Sequence, residues 1–211
     1  MSGLVLDPLE YELTRAIYTR IPGLDFRGDE VAARVAPRYC NASINELREL
    51  DWRETTIIMP AITSKPIVNG LLVAVEGRSL SILRGMGLSP QVIVTDFDFE
   101  PNELIGYKGL VLGHAHGDNG PAFAKYAPLM ERIIPTVQFW PHGCSILPPG
   151  FTDGDRAVYL AAYLGAEVIH VYGFKPGLVI KRDDAIKRAK LALASVFINR
   201  VARLTDVRIH Q

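Results

Sequence analysis

The chain has 211 residues, 48% of them hydrophobic, with 23 basic and 23 acidic side chains and a formal net charge of zero. That length holds one domain of ordinary size with a smaller appendage and a substantial core. Balanced charge argues against a dedicated nucleic-acid binder, which would carry a basic excess, and no apolar run approaches the roughly 18 to 20 residues that cross a bilayer.

Two cysteines, Cys40 and Cys144, are too few for a disulfide framework and fit a reducing compartment. The start Met1-Ser2-Gly3-Leu4 has no basic region or cleavage site of the secretory kind. The expectation is a soluble, cytoplasmic protein with no membrane and no nucleic-acid partner.

In chain order, Pro8 to Ile21 reads as a helix with Leu9, Leu13, Ala16 and Ile17 on one face, Pro8 standing where a first turn tolerates it. A second helix is expected from about Asp29 to Tyr39, interrupted near Pro37, and Ser43-Ile44-Asn45-Glu46 is a capping-box signature for a third. No strand alternates with them, so residues 1 to 65 read as a small helical N-terminal subdomain. Thr55 to Met59 is either its exit strand or the first strand of the main sheet.

From residue 66 to 211 the rhythm changes. Leu71 to Val75, Val92 to Thr95, Leu110 to Gly113, Thr136 to Phe139 and Val168 to Tyr172 are short apolar runs of the kind buried on both faces of a parallel sheet. Helical patterns at Ser79 to Met86, Pro121 to Ile133 and Arg156 to Leu164 alternate with them, and a long one runs from about Asp183 to Leu204. This predicts an α/β catalytic domain with a doubly wound, mostly parallel sheet. The long last helix could pack on the sheet and also serve a homodimer. Pro141 to Gly150 is the longest irregular stretch of this domain, and such loops near strand ends are often binding elements.

Three segments carry the chemistry: Thr95-Asp96-Phe97-Asp98, His114-Ala115-His116-Gly117-Asp118-Asn119, and Gly150-Phe151-Thr152-Asp153-Gly154-Asp155-Arg156-Ala157. The first two follow apolar runs directly and the third opens a helix, so all three belong at the carboxyl edge of the sheet, where ligands bind. Acids gathered there would raise one another's pKa unless a cation sat among them. Oxygen donors suit magnesium, held by few carboxylates together with substrate phosphates, and a magnesium-nucleotide site is the simplest reading.

Each segment also has a plainer use. Asp suits strand exits. Alternating histidines suggest zinc, or hydrogen bonding to phosphate or a substrate hydroxyl beside Gly113, Gly117 and Gly120. Thr152 with Asp155 is a capping-box variant, although the same helix start could bind anions, with Arg156 clamping a phosphate. Glu76-Gly77-Arg78-Ser79 lies at a strand-to-helix turn that would suit a phosphate or base. Trp140 and His142 could stack on a heterocycle or belong to the core, Lys175, Lys181 and Arg182 form a basic cluster typical of a solvated face, and His170 reads as a hydrogen-bonded core residue.

The three segments together resemble the archaeal type of 6-hydroxymethyl-7,8-dihydropterin pyrophosphokinase, whose fold is similar to that of thiamine pyrophosphokinase. The resemblance covers most of the chain and implies magnesium-dependent transfer of diphosphate from ATP to a reduced pterin, giving AMP and a pterin diphosphate for folate- or methanopterin-type cofactors. It implies Asp96, Asp98 and Asp118 as metal ligands, with Asp118 and Asp155 also in catalysis and His114 or His116 as base. Gly77, Ser79, Asn119, Asp153 and Arg156 are the candidate nucleotide contacts. On these roles, Asp98→Asn and Asp155→Asn would each abolish turnover and leave the thermal melt intact. Phe99, where the family often has glycine, and Glu76-Gly77-Arg78, in place of an Asp-Gly-Ala type of turn, depart from the pattern. A metal-dependent phosphohydrolase or a non-catalytic nucleotide or pterin binder would use the same residues.

Overall fold

The computed structural model describes residues 3–21, 26–180 and 185–210. Its sheet has nine strands among these residues, all parallel: β1 (Leu4–Val5), β2 (Glu54–Ile58), β3 (Leu71–Val75), β4 (Val92–Thr95), β5 (Leu110–Ala115), β6 (Ile133–Val137), β7 (Ile146–Leu147), β8 (Val168–Tyr172) and β9 (Asp206–His210). Their spatial order is β1-β7-β6-β5-β4-β3-β2-β8-β9.

From β2 to β7 the chain steps in one direction, and then it returns past all of them to place β8 on the far side of β2. Right-handed crossovers of opposite direction put their helices on opposite faces. Accordingly α4 (Glu76–Gly85) and α5 (Gly120–Tyr126) cover one face, burying Leu80, Leu83, Phe123 and Tyr126 against Leu72, Ala74, Ile93 and Val111. The other face carries α6 (Asp153–Tyr163) and α7 (Ala185–Val201), whose Val158, Leu160, Phe197 and Ile198 meet Val73, Val75, Val94 and Leu112. Every residue of β3 is buried, as the unbroken apolar run predicts.

The first 65 residues are woven into this sheet. β1 pairs with β7, and β2 lies between β3 and β8. α1 (Pro8–Tyr18) starts at Asp7, whose carboxylate accepts the amides of Leu9 and Glu10, and α3 (Ile44–Arg48) starts at the expected capping box of Ser43 and Glu46. α2 (Phe26–Val35) gives way before Pro37 to a short 3-10 turn, Ala36–Tyr39. β2, before residue 65, and β3, after it, pair directly in parallel.

Several boundaries move. α5 stops at Tyr126 because Pro128 has no amide hydrogen to continue it, and β6 consequently begins at Ile133 instead of Thr136. α7 is described from Ala185, ending at Val201 instead of Leu204, and its expected start at Asp183 lies outside the described residues. Cys40 and Cys144 form a disulfide across 104 residues, a pairing that two isolated cysteines in sequence did not announce. Their approach is a product of the fold, which brings the end of the 3-10 turn against the β6–β7 loop. No described helix is long and apolar enough to cross a membrane.

Candidate active site

Glu76 is the first residue after β3 and stands in the left-handed region, φ +67°. Thr95, the last residue of β4, donates its hydroxyl to Glu76 Oε2 at 3.0 Å and accepts the amide of Phe97 at 3.0 Å. Gly77 follows because the chain crosses closely there: a Cβ on it would lie 2.0 Å from the carbonyl oxygen of Glu100. Phe97, also left-handed at φ +63°, is buried between Phe123 and Tyr126. A bulky residue rarely adopts that conformation, and here aromatic packing offsets the cost. The plugged ring leaves Asp96 and Asp98 on the cavity side, with Asp98 N–H donating to Asp96 Oδ1 at 3.0 Å.

The turn after β5 separates the two histidines. His114 is buried, with Nδ1 3.0 Å from Thr136 Oγ1 and Nε2 3.4 Å from Gln138 Oε1, and burial holds its pKa well below the usual imidazole value. Both nitrogens are engaged, so the alternating pair is not presented as a zinc-binding pair. His116 does line the cavity, Nε2 lying 3.8 Å from Asp96 Oδ2 and Nδ1 3.9 Å from Asp118 Oδ2. Asn119 ties the turn down: its amide nitrogen donates to the carbonyls of Asp96 and His114, each at 2.7 Å, and its oxygen accepts the His116 amide at 2.9 Å.

The first turn of α6 supplies the third side. Asp155 caps the helix, accepting the amides of Phe151 at 2.8 Å and Thr152 at 2.6 Å and the Thr152 hydroxyl at 2.6 Å. It is fully buried and does not line the cavity. Asp153 does, only 6% exposed, and neither of its oxygens receives a hydrogen bond among the described residues. Its pKa is pushed up to about 7, first by burial and then by Asp96, with Arg156 opposing.

Asp153, Asp96 and Glu76 offer oxygens that all lie within 4.8 Å of one another. Three carboxylates so close, two of them buried, carry more negative charge than the Arg156 guanidinium at 3.5 Å from Asp153 offsets, and are costly unless a further cation neutralises them. An all-oxygen donor set of this kind fits a hard divalent cation such as magnesium. The predicted trio of Asp96, Asp98 and Asp118 is thus spread around the cavity, and only Asp96 belongs to the tight group.

The cavity measures about 520 Å³. Arg156, Lys175, Lys187 and Lys190 line it too, Arg156 Nη1 lying 3.5 Å from Asp153 Oδ1, and Tyr18, Phe151 and Phe174 contribute aromatic surface. Burial, and after it Arg156, lowers the pKa of Lys190. Gly77 and Ser79 lie at the buried start of α4 and do not line the cavity. Trp140 packs edge-on against Tyr11 at 5.3 Å and His142 lies elsewhere, whereas His170 is buried with Nε2 3.1 Å from Glu54. Of the predicted basic cluster Lys175 reaches the cavity, and Lys181 and Arg182 lie outside the described residues.

Sequence reasoning named the turn of Glu76 without its carboxylate, and passed over Gln138, Lys187 and Lys190. Signals existed for two of these features. Glu76 follows an apolar strand just as Asp96 does, and Lys187 and Lys190 are spaced to share a helix face. Nothing local marks Gln138.

No protein-family model matches the chain. It is 40% identical to the 6-hydroxymethyl-7,8-dihydropterin pyrophosphokinase of Methanothermobacter thermautotrophicus, over 96% of this chain and 100% of that protein. Proteins of the same name from Pyrococcus furiosus and Methanocaldococcus jannaschii are 36% identical over 50% of this chain and 46% of theirs, and 29% identical over 74% and 66%.

Proposed function

The chain belongs to the 6-hydroxymethyl-7,8-dihydropterin pyrophosphokinase family, and on that basis we propose that it moves the terminal diphosphate of ATP to the hydroxymethyl group of that pterin, with magnesium held by Glu76, Asp96 and Asp153. The observation that carries the metal assignment is the group of three carboxylates within 4.8 Å, Glu76 and Asp153 buried, whose charge the one guanidinium at 3.5 Å from Asp153 does not balance. In the reaction the pterin hydroxymethyl oxygen bonds to the β-phosphorus as the bond to the α–β bridging oxygen breaks. AMP departs with the bonding electron pair, and the hydroxyl proton passes to a base. The bound cation would supply neutralisation of phosphate charge, the main demand of such transfers.

The remaining work falls to the chain's own side chains. Arg156, Lys175, Lys187 and Lys190 line the same cavity as the acids and provide positive charge for a triphosphate. Tyr18, Phe151 and Phe174 offer faces on which a flat heterocycle can rest. We assign the hydroxyl proton to His116, which lines the cavity and whose Nδ1 accepts the Asp118 amide at 3.3 Å, leaving Nε2 as the nitrogen near Asp96. His114, enclosed by Thr136 and Gln138, serves the architecture of the site.

The deciding assay combines the protein, ATP, magnesium and 6-hydroxymethyl-7,8-dihydropterin, with thiamine as a parallel acceptor, and identifies products by mass spectrometry. Equal AMP and pterin diphosphate, abolished by a chelator, are expected, a product suited to folate- or methanopterin-type cofactor synthesis. ATP hydrolysed without transfer would replace this reading with a phosphohydrolase, and diphosphorylated thiamine would change the acceptor.

A further inference from the structure

We propose that Asp29, in the N-terminal segment and outside all three sequence motifs, is a positioning residue that sets both flanks of the site at once. The proposal rests on the function proposed above for what is being positioned. Asp29 is 3% exposed and lies on α2. Its Oδ1 accepts the amide of Gly117 at 2.8 Å, holding the turn that carries His116 and Asp118. Its Oδ2 accepts from Gln138 Nε2 at 3.0 Å.

The second bond determines which way the Gln138 amide faces. With its nitrogen committed to Asp29, its oxygen turns to Arg156 and accepts from Nη2 at 2.7 Å. Arg156 is 4% exposed, its Nε has no hydrogen-bond partner among the described residues, and its Nη1 lies 3.5 Å from Asp153 Oδ1. A guanidinium so enclosed depends on the few acceptors it has, here Gln138 and the Gly150 carbonyl at 3.3 Å. A carboxylate at position 29 accepts at both oxygens, whereas an amide must donate from one side. Asparagine there would set its NH₂ against an N–H donor. If Gln138 flips to accommodate it, the Gln138 nitrogen then faces the Arg156 guanidinium, and the misfit is passed to the residue beside Asp153.

In the double variant Asp29→Asn/Gln138→Glu, the asparagine oxygen can accept the Gly117 amide and its NH₂ can donate to the new carboxylate, whose other oxygen accepts from Arg156. Gln138→Glu alone places two carboxylates face to face. The experiment compares wild type, both single variants and the double in three readouts: kcat and KM for diphosphate transfer, manganese affinity by calorimetry without nucleotide or pterin, and the thermal melt. Each single variant is expected to lose about 10- to 100-fold in kcat/KM and to weaken manganese binding, the usual scale for residues that orient a metal site. The double should return to within about threefold of wild type in both, on the same scale. A double variant that folds and stays as impaired as Asp29→Asn overturns the proposal, as does an Asp29→Asn protein with wild-type manganese affinity and kcat/KM. Wild-type protein inert toward the pterin would sink the proposed reaction instead, leaving the manganese series to decide the relay.

Discussion

Asp153 is the residue on which burial and charge conflict most sharply. Its folded pKa, about 7, lies above the ordinary carboxylate value because the enclosed ion is poorly solvated and Asp96 stands close. The folded state therefore binds a proton that the unfolded state releases, so this group's contribution favours folding at low pH and is lost as pH rises through about 7. Without divalent cations the melting midpoint should fall between pH 5.5 and 8 more than it does in Asp153→Asn. Magnesium or manganese should restore the wild type at pH 8 and do little for the variant, as melts with and without chelator will report. The same substitution should lower turnover by about 100-fold or more, since several kcal/mol of phosphate-charge stabilisation depends on the cation.

Among the elements, α6 joins folding to chemistry in three consecutive residues. Asp153 faces the cavity while Asp155, two positions on, is consumed by the cap. The two acids look equivalent in sequence, and the direction of a helical side chain separates them. The expected cost of Asp155→Ala is accordingly one of stability, about 0.5–2 kcal/mol for a lost cap, which in a chain of this size lowers the midpoint by roughly 1 to 8 °C. Turnover would fall through displacement of Asp153. This reverses the outcome expected from the motif alone, and an Asp155→Ala protein inactive at an unchanged midpoint would return Asp155 to the mechanism.

For the molecule as a whole, the disulfide between Cys40 and Cys144 joins the N-terminal segment to the β6–β7 loop. Closing so long a stretch limits the unfolded chain, and native disulfides typically contribute about 2–4 kcal/mol. Treatment with a reductant, or Cys40→Ser, should lower the denaturation midpoint by a matching amount. Equal midpoints with and without reductant would show that the bond adds nothing. Cys144 and Gln138 share the β6–β7 connection, and Cys40 and Asp29 both belong to the N-terminal segment, so that segment is tied to the connection by the disulfide and by the Asp29–Gln138 hydrogen bond.

The strands from β3 to β5 and β8 were legible because a parallel sheet covered on both faces demands unbroken apolar runs, and the acids after them were legible because such strands end at the ligand-binding edge. β1, β7 and β9 were not, two of them being only two residues long and the third an exposed edge. By itself the sequence determined an α/β fold, its family likeness and the three segments that border the cavity. Which acids would meet was decided by tertiary structure alone. The β7-to-β8 crossover carries Asp153 back over β3 and β4, where Glu76 and Asp96 emerge, and no local pattern records a distance set by a connection that spans the sheet.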